Sequence, residues 1–118
     1  MQGISSMSVS TITSREQYDT ILSTSEATKL VIVQFTATWC GPCQTIKPFV
    51  EKFSETYPHV TFVKVDVDEF EKLADDAEVT AMPTFQFHRA NRKIAELKGD
   101  EAPELKALIE KYQTLAEE

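Results

Sequence analysis

The sequence predicts a single α/β domain built on a mixed central β-sheet with helices on both faces. Three observations predict it. Two apolar, β-rich runs, Leu30–Phe35 and Val60–Val67, alternate with segments whose apolar residues recur at helical spacing. That alternation implies parallel strands joined by helical crossovers. A later pair of strands around Ala90-Asn91-Arg92 then adds an antiparallel ribbon. A length of 118 residues fits one compact domain.

Taken in order, Val9–Ile12 is a short strand candidate. Ser14-Arg15-Glu16-Gln17 has the pattern of a capping box, and Tyr18, Ile21 and Leu22 follow at helical spacing. Leu30–Phe35 is long and apolar enough for a strand buried on both faces. From Cys40 the period changes: Ile46, Phe49, Val50, Phe53 and Tyr57 mark the buried stripe of an amphipathic helix. Pro48 lies inside it and removes one backbone donor, so a kink is expected there. Val60–Val67 is a second buried strand, followed by a short helix with Phe70, Leu73, Ala74 and Ala77 on one face. Thr84–His88 and Ile94–Leu97 read as strands of a tight hairpin, with Asn91 able to take a positive φ. Gly99 ends the last strand. Pro103 suits the first turn of a final helix whose stripe is Leu105, Leu108, Ile109, Tyr112 and Leu115. The element order is β-α-β-α-β-α-β-β-α, and it starts the Cys40 helix at the carboxyl end of a central strand, where open α/β sheets place their sites.

The composition narrows the function classes. A hydrophobic fraction of 42% supports a globular core, and a formal net charge of −7 disfavours phosphate backbones and anionic lipid surfaces. The expectation is therefore no nucleic acid and no membrane partner. No apolar run approaches a transmembrane length. The opening segment, MQGISSMSVSTITS, lacks the basic and apolar regions of a secretory signal. Residues 1–7 are read as a disordered tail or as added residues, with Met1 or Met7 as the native start, and residues 8–118 as the domain.

The chemistry concentrates in Trp39-Cys40-Gly41-Pro42-Cys43, which holds the only two cysteines of the chain. Such a pair can be two inert buried thiols, a structural disulfide, half of a zinc site, or a redox couple. As a staple a disulfide here is poorly placed. Closing so short a loop restrains the unfolded chain by roughly 2 kcal/mol, against ~3 for fifteen residues. Zinc needs four ligands, and His59 and His88 show no ligand spacing, so no metal is expected and both histidines are read as ordinary surface or strand residues. The redox reading has local physics behind it. Cys40 stands at a helix N-terminus, where unpaired N–H groups favour a thiolate. Cys43 lies one turn in, where its thiol is less exposed. Gly41 admits a partner's backbone and Pro42 stiffens the turn.

WCGPC, Pro48 in the following helix, Ala81-Met82-Pro83-Thr84 before the hairpin and Gly99 after the last strand together resemble the thioredoxin family, over about Ser8 to Tyr112. The resemblance implies a thioredoxin-like fold and a protein-disulfide reductase acting by dithiol–disulfide exchange in cell redox homeostasis. Cys40 would be the nucleophile and Cys43 the resolving cysteine of a redox-active disulfide. No cofactor would be tightly bound; electrons would come from NADPH through thioredoxin reductase. The expected partners are that reductase and disulfide-containing proteins, and the expected state is a monomer; the lack of a targeting signal in the sequence gives a cytoplasmic expectation. Pro83 would follow a cis peptide bond and face the cysteines. Trp39, Met82, Pro83 and Gly99 would form an apolar docking surface.

One position departs from the pattern. Relatives usually carry a buried aspartate where this chain has Gln34, and that acid takes or relays the proton of the resolving cysteine. Gln34 hydrogen-bonds but cannot ionise. Lys64 matches the lysine that sits near that acid, and here it loses the partner or reaches solvent along its stem. The departure opens an alternative reading, a binding module on the same scaffold with slow turnover. A disulfide-forming or isomerising domain is a further alternative, against which Pro42 argues. Lys98, before Gly99, is read as a solvated lysine.

Overall fold

The computed structural model describes residues 9–113 of the chain. The tail at 1–7, Ser8 and the stripe position Leu115 lie outside the described residues. Nine elements follow one another: β1 (Val9–Thr11), α1 (Arg15–Thr24), β2 (Val31–Thr36), α2 (Gly41–Thr56), β3 (Thr61–Asp66), α3 (Glu71–Asp76), β4 (Thr84–Arg89), β5 (Arg92–Lys98) and α4 (Ala102–Gln113). This is the expected order and the thioredoxin-like fold. The strands lie in one sheet in the order β1-β3-β2-β4-β5. β3 pairs in parallel with β1 and β2, whereas β4 runs antiparallel to β2 and β5.

β2 explains its own apolar composition. Side chains alternate between sheet faces along a strand. Ile32 enters the core with Ile46, Val50, Phe53, Phe85, Phe87, Leu105 and Ile109, between the sheet and helices α2 and α4. Val31, Val33 and Phe35 point the other way, onto Tyr18, Leu22, Leu73 and Ala74 of α1 and α3. A central strand covered on both sides must be apolar at nearly every position, so Gln34 on the α2 face is the exception.

Local chemistry sets the boundaries. Ser14 caps α1, its Oγ accepting the Gln17 N–H at 3.0 Å. The reciprocal half of the box is shifted by one residue: Gln17 Oε1 accepts from the Thr13 N–H at 2.6 Å. α3 ends with Glu78 at φ 61°; its N–H donates to the Asp75 carbonyl and that of Val79 to Ala74, a closed C-terminal turn that satisfies two otherwise orphaned carbonyls. The β4–β5 turn is tighter than expected, since Arg89 pairs with Arg92 and only Ala90 and Asn91 bridge them. Both take positive φ, 54° and 61°, as a two-residue hairpin with right-handed strand twist requires.

Two burial assignments are corrected. Phe49, placed in the buried stripe of α2, is 46% exposed. It lies about 60° round the helix from Ile46, on the side away from the buried Cys43 and Ser54, so it falls off the stripe's edge. His88 is a strand residue but a buried one, at 8% exposure, next to a bulge between Phe87 and His88.

Candidate active site

The site forms where β2 ends and α2 begins. Cys40 is the N-cap of α2: its Sγ accepts the Cys43 N–H at 3.2 Å, and its carbonyl accepts from Gln44. A cysteine therefore occupies a place usually taken by an oxygen acceptor, directly on the helix's unpaired N–H groups. Cys40 and Cys43 are bonded as a disulfide, with Cα atoms 5.2 Å apart. One helical turn brings positions i and i+3 to that separation without bending the backbone. Both cysteines are buried, Cys43 the deeper at 2% exposure against 4%. Among the described residues no group of three or more His, Cys, Asp or Glu side chains could hold a metal ion.

Around the disulfide the sequence-predicted residues divide. Gly41 and Pro42 are exposed, and a Cβ built on Gly41 meets nothing within 4 Å, so the space beside Gly41 is open. Cys40, Cys43 and Ala37 form a small apolar cluster, with Val67 and Met82 packed against it. The Met82–Pro83 peptide is cis. Pro83 is itself buried and offers no docking surface through its ring; its carbonyl accepts the Gly99 N–H at 2.8 Å. Gly99 has φ +108°, a conformation that favours glycine, although the space beside it is open. Thr84 Oγ1 donates to the Ala81 carbonyl at 2.6 Å and closes the loop from the strand side.

Trp39 projects from the β2–α2 connection at 66% exposure. Its indole Nε1–H donates to Asp68 Oδ2 at 2.7 Å. Asp68 sits in the β3–α3 connection, itself folded by Asp66, whose Oδ1 accepts the backbone N–H of Asp68 at 2.8 Å. Sequence reasoning missed Asp68, because the contact spans 29 positions and no local pattern marks it. It missed Thr80 for the same reason: Lys98 Nζ donates to Thr80 Oγ1 at 3.0 Å, so Lys98 is not simply solvated.

Beneath the disulfide, Gln34 is 5% exposed. It pairs with Lys64 of β3 and Phe85 of β4. Among the described residues no side chain hydrogen-bonds its amide. Gln34, Lys64 and Cys43 instead line one cleft of about 290 Å³, together with Lys47, Glu51 and Asp66. No carboxylate of the described residues lies within ion-pair distance of the Lys64 ammonium, so its stem spans the cleft wall and its charge stays unpaired.

A thiol pair that closes reversibly, sits on a helix N-terminus and opens to a partner's backbone can exchange disulfides. Comparison with known proteins agrees. The family model described as Thioredoxin matches residues 9–111. The chain is similar to thioredoxin of Mus musculus, 43% identical over 104 residues that cover 88% of this chain and 98% of that protein. Among solved structures it resembles thioredoxin NaTrxh from Nicotiana alata, with a TM-score of 0.85 and 35% identity over 88% of this chain and 91% of that one. It also resembles a chain from work on thiol resolving in a yeast mitochondrial 1-Cys peroxiredoxin via glutathione/thioredoxin systems. There the TM-score is 0.81 and the identity 32%, over 90% of this chain and 97% of that one. With Cys40 and Cys43 in the place and geometry that dithiol–disulfide exchange needs, the chain belongs to the thioredoxin family, whose members are thiol-disulfide oxidoreductases that require no tightly bound cofactor.

Proposed function

We infer that the chain is a protein-disulfide reductase in which Cys40 attacks, Cys43 resolves, and electrons arrive from NADPH through a thioredoxin reductase. The observation that carries the order of attack is the position of Cys40 as N-cap of α2, where its Sγ accepts the Cys43 N–H. In the reduced chain the helix N-terminus and the Cys43 N–H favour the Cys40 thiolate. That thiolate attacks one sulfur of the target disulfide; the target S–S bond breaks, and the leaving thiolate takes a proton from solvent. Cys43 then loses its proton and attacks Cys40 Sγ, releasing the second target thiolate. Two electrons pass to the target, and the Cys40–Cys43 disulfide is the oxidised product. Trp39 and Met82, with Pro83 and Gly99 supplying backbone, form the docking surface. Gln34 and Lys64 tune the second step from below.

The same reading takes the chain as a monomeric electron carrier in cell redox homeostasis. A cytoplasmic location is part of the same proposal. The test is NADPH oxidation coupled through thioredoxin reductase to reduction of a protein disulfide. Consumption should require this chain and fall to background with Cys40→Ser. NADPH loss that ignores the chain would overturn the reading.

A further inference from the structure

We propose that Lys98 is a specificity determinant of the docking surface, selecting disulfide segments that carry a carboxylate beside the reacting cysteine. The proposal rests on the reductase reading and names the substrate class of that site.

Lys98 ends β5, opposite Thr84, and precedes Gly99, whose N–H is bonded to the Pro83 carbonyl. Its backbone is therefore tied to the Met82–Pro83 loop. It is also tied by side chain, since Nζ donates to Thr80 Oγ1 at 3.0 Å, two residues before Met82. An ammonium has three donors, so two remain for a ligand. Among the described residues no carboxylate lies within ion-pair distance of it. The cleft that Thr80 also lines has the other sign. Glu71 and Asp75 line a cleft of about 320 Å³ with Thr80 and Met82, and Asp68 holds the Trp39 indole. Against this background, in a chain of net charge −7, Lys98 is a fixed cation beside Met82. A substrate carboxylate is repelled from the Glu71–Asp75 wall and attracted to Lys98, which fixes both position and polarity of the incoming segment. Because Thr80 already restrains the lysine, pairing costs less side-chain entropy than at a free surface lysine.

The test compares kcat/KM of the full chain for three disulfide peptides that differ only in Asp, Asn or Lys beside the cysteine. Measurements are made near 0.15 M salt, where charges beyond about 8 Å are screened. The wild type should prefer Asp over Lys by about two- to fivefold, as exposed ion pairs allow. Lys98→Glu should invert the order, which a misfolded variant would not do. Lys52→Glu makes the same change in net charge on α2, about 18 Å along the helix from Cys40, and should leave the order as in the wild type. An order that Lys98→Glu does not change, or that Lys52→Glu changes equally, overturns the proposal alone. Failure to reduce any of the three peptides overturns the reductase reading and the proposal with it.

Discussion

Gln34 of β2 stands in register with Lys64 of β3, and the cleft that both line ends at Cys43. An amide thus occupies the point from which an acid would serve the resolving thiol, and a lysine beside it keeps its charge unpaired. The arrangement favours a folded chain over a fast one. Even without a side-chain partner, a neutral amide costs less to bury than a charged carboxylate, but it takes no proton from Cys43.

Gln34→Asp should accordingly speed the resolving step and weaken the fold. The gain should be largest near neutral pH and reach at most about 10²-fold, the low end of general-base effects. Burial raises a carboxyl's folded-state pKa, with Lys64 opposing part of the shift. The folded state then binds more protons than the unfolded one. Stability of the variant is lost as pH rises from the ordinary aspartate value near 3.9 through the folded value. Turnover and thermal melting on the same samples from pH 4 to 9 check both halves.

Asp68→Ala should free the Trp39 indole. Because Trp39 is the only tryptophan, its fluorescence reports the change without interference. Emission should move while the circular dichroism of the fold stays. The kcat/KM for protein disulfides should fall about two- to fivefold, the worth of one exposed charge-assisted hydrogen bond.

His88 should set part of the acid limb of stability. Burial first, and the nearby Lys93 charge second, lower its pKa below the ordinary 6.5. Neither ring nitrogen has a hydrogen-bond partner among the described residues, so the imidazolium has nothing to gain in the fold. The unfolded chain binds the proton more readily. Stability is therefore fully present above pH 6.5 and is lost as pH falls through the folded value. His88→Phe should flatten that slope in denaturant titrations between pH 7 and 5.

Ala90→Asn should stabilise the hairpin by about 0.5–1 kcal/mol, since alanine at φ 54° pays a steric cost that asparagine bears more easily. The gain should appear as a higher denaturant midpoint with an unchanged slope.

Most of the fold was legible because its signals are local. The runs around Ile32 and Val63 sit in a sheet covered on both faces, and the stripe Ile46, Val50, Phe53 and Tyr57 has the helical period; all are buried. The same locality set the limits. Phe49 satisfied the spacing yet lies off the stripe. The positive φ of Ala90 is imposed by strand register, not by its own preference. His88 reads as polar, but its place next to Val31 on a central strand buries it. At the site, Cys40 and Cys43 are bonded to each other, and Met82 packs against them. Asp68 and Thr80 did not register, because their partners are tertiary.

The central claim is the division of labour between the two sulfurs, and trapping tests it most directly. Cys43→Ser and Cys40→Ser, each reduced and mixed with a protein disulfide, would be weighed intact by mass spectrometry. The account predicts that Cys43→Ser accumulates a one-to-one mixed disulfide through Cys40 and that Cys40→Ser accumulates none. Trapping by Cys40→Ser in its place, or by neither variant, would contradict it.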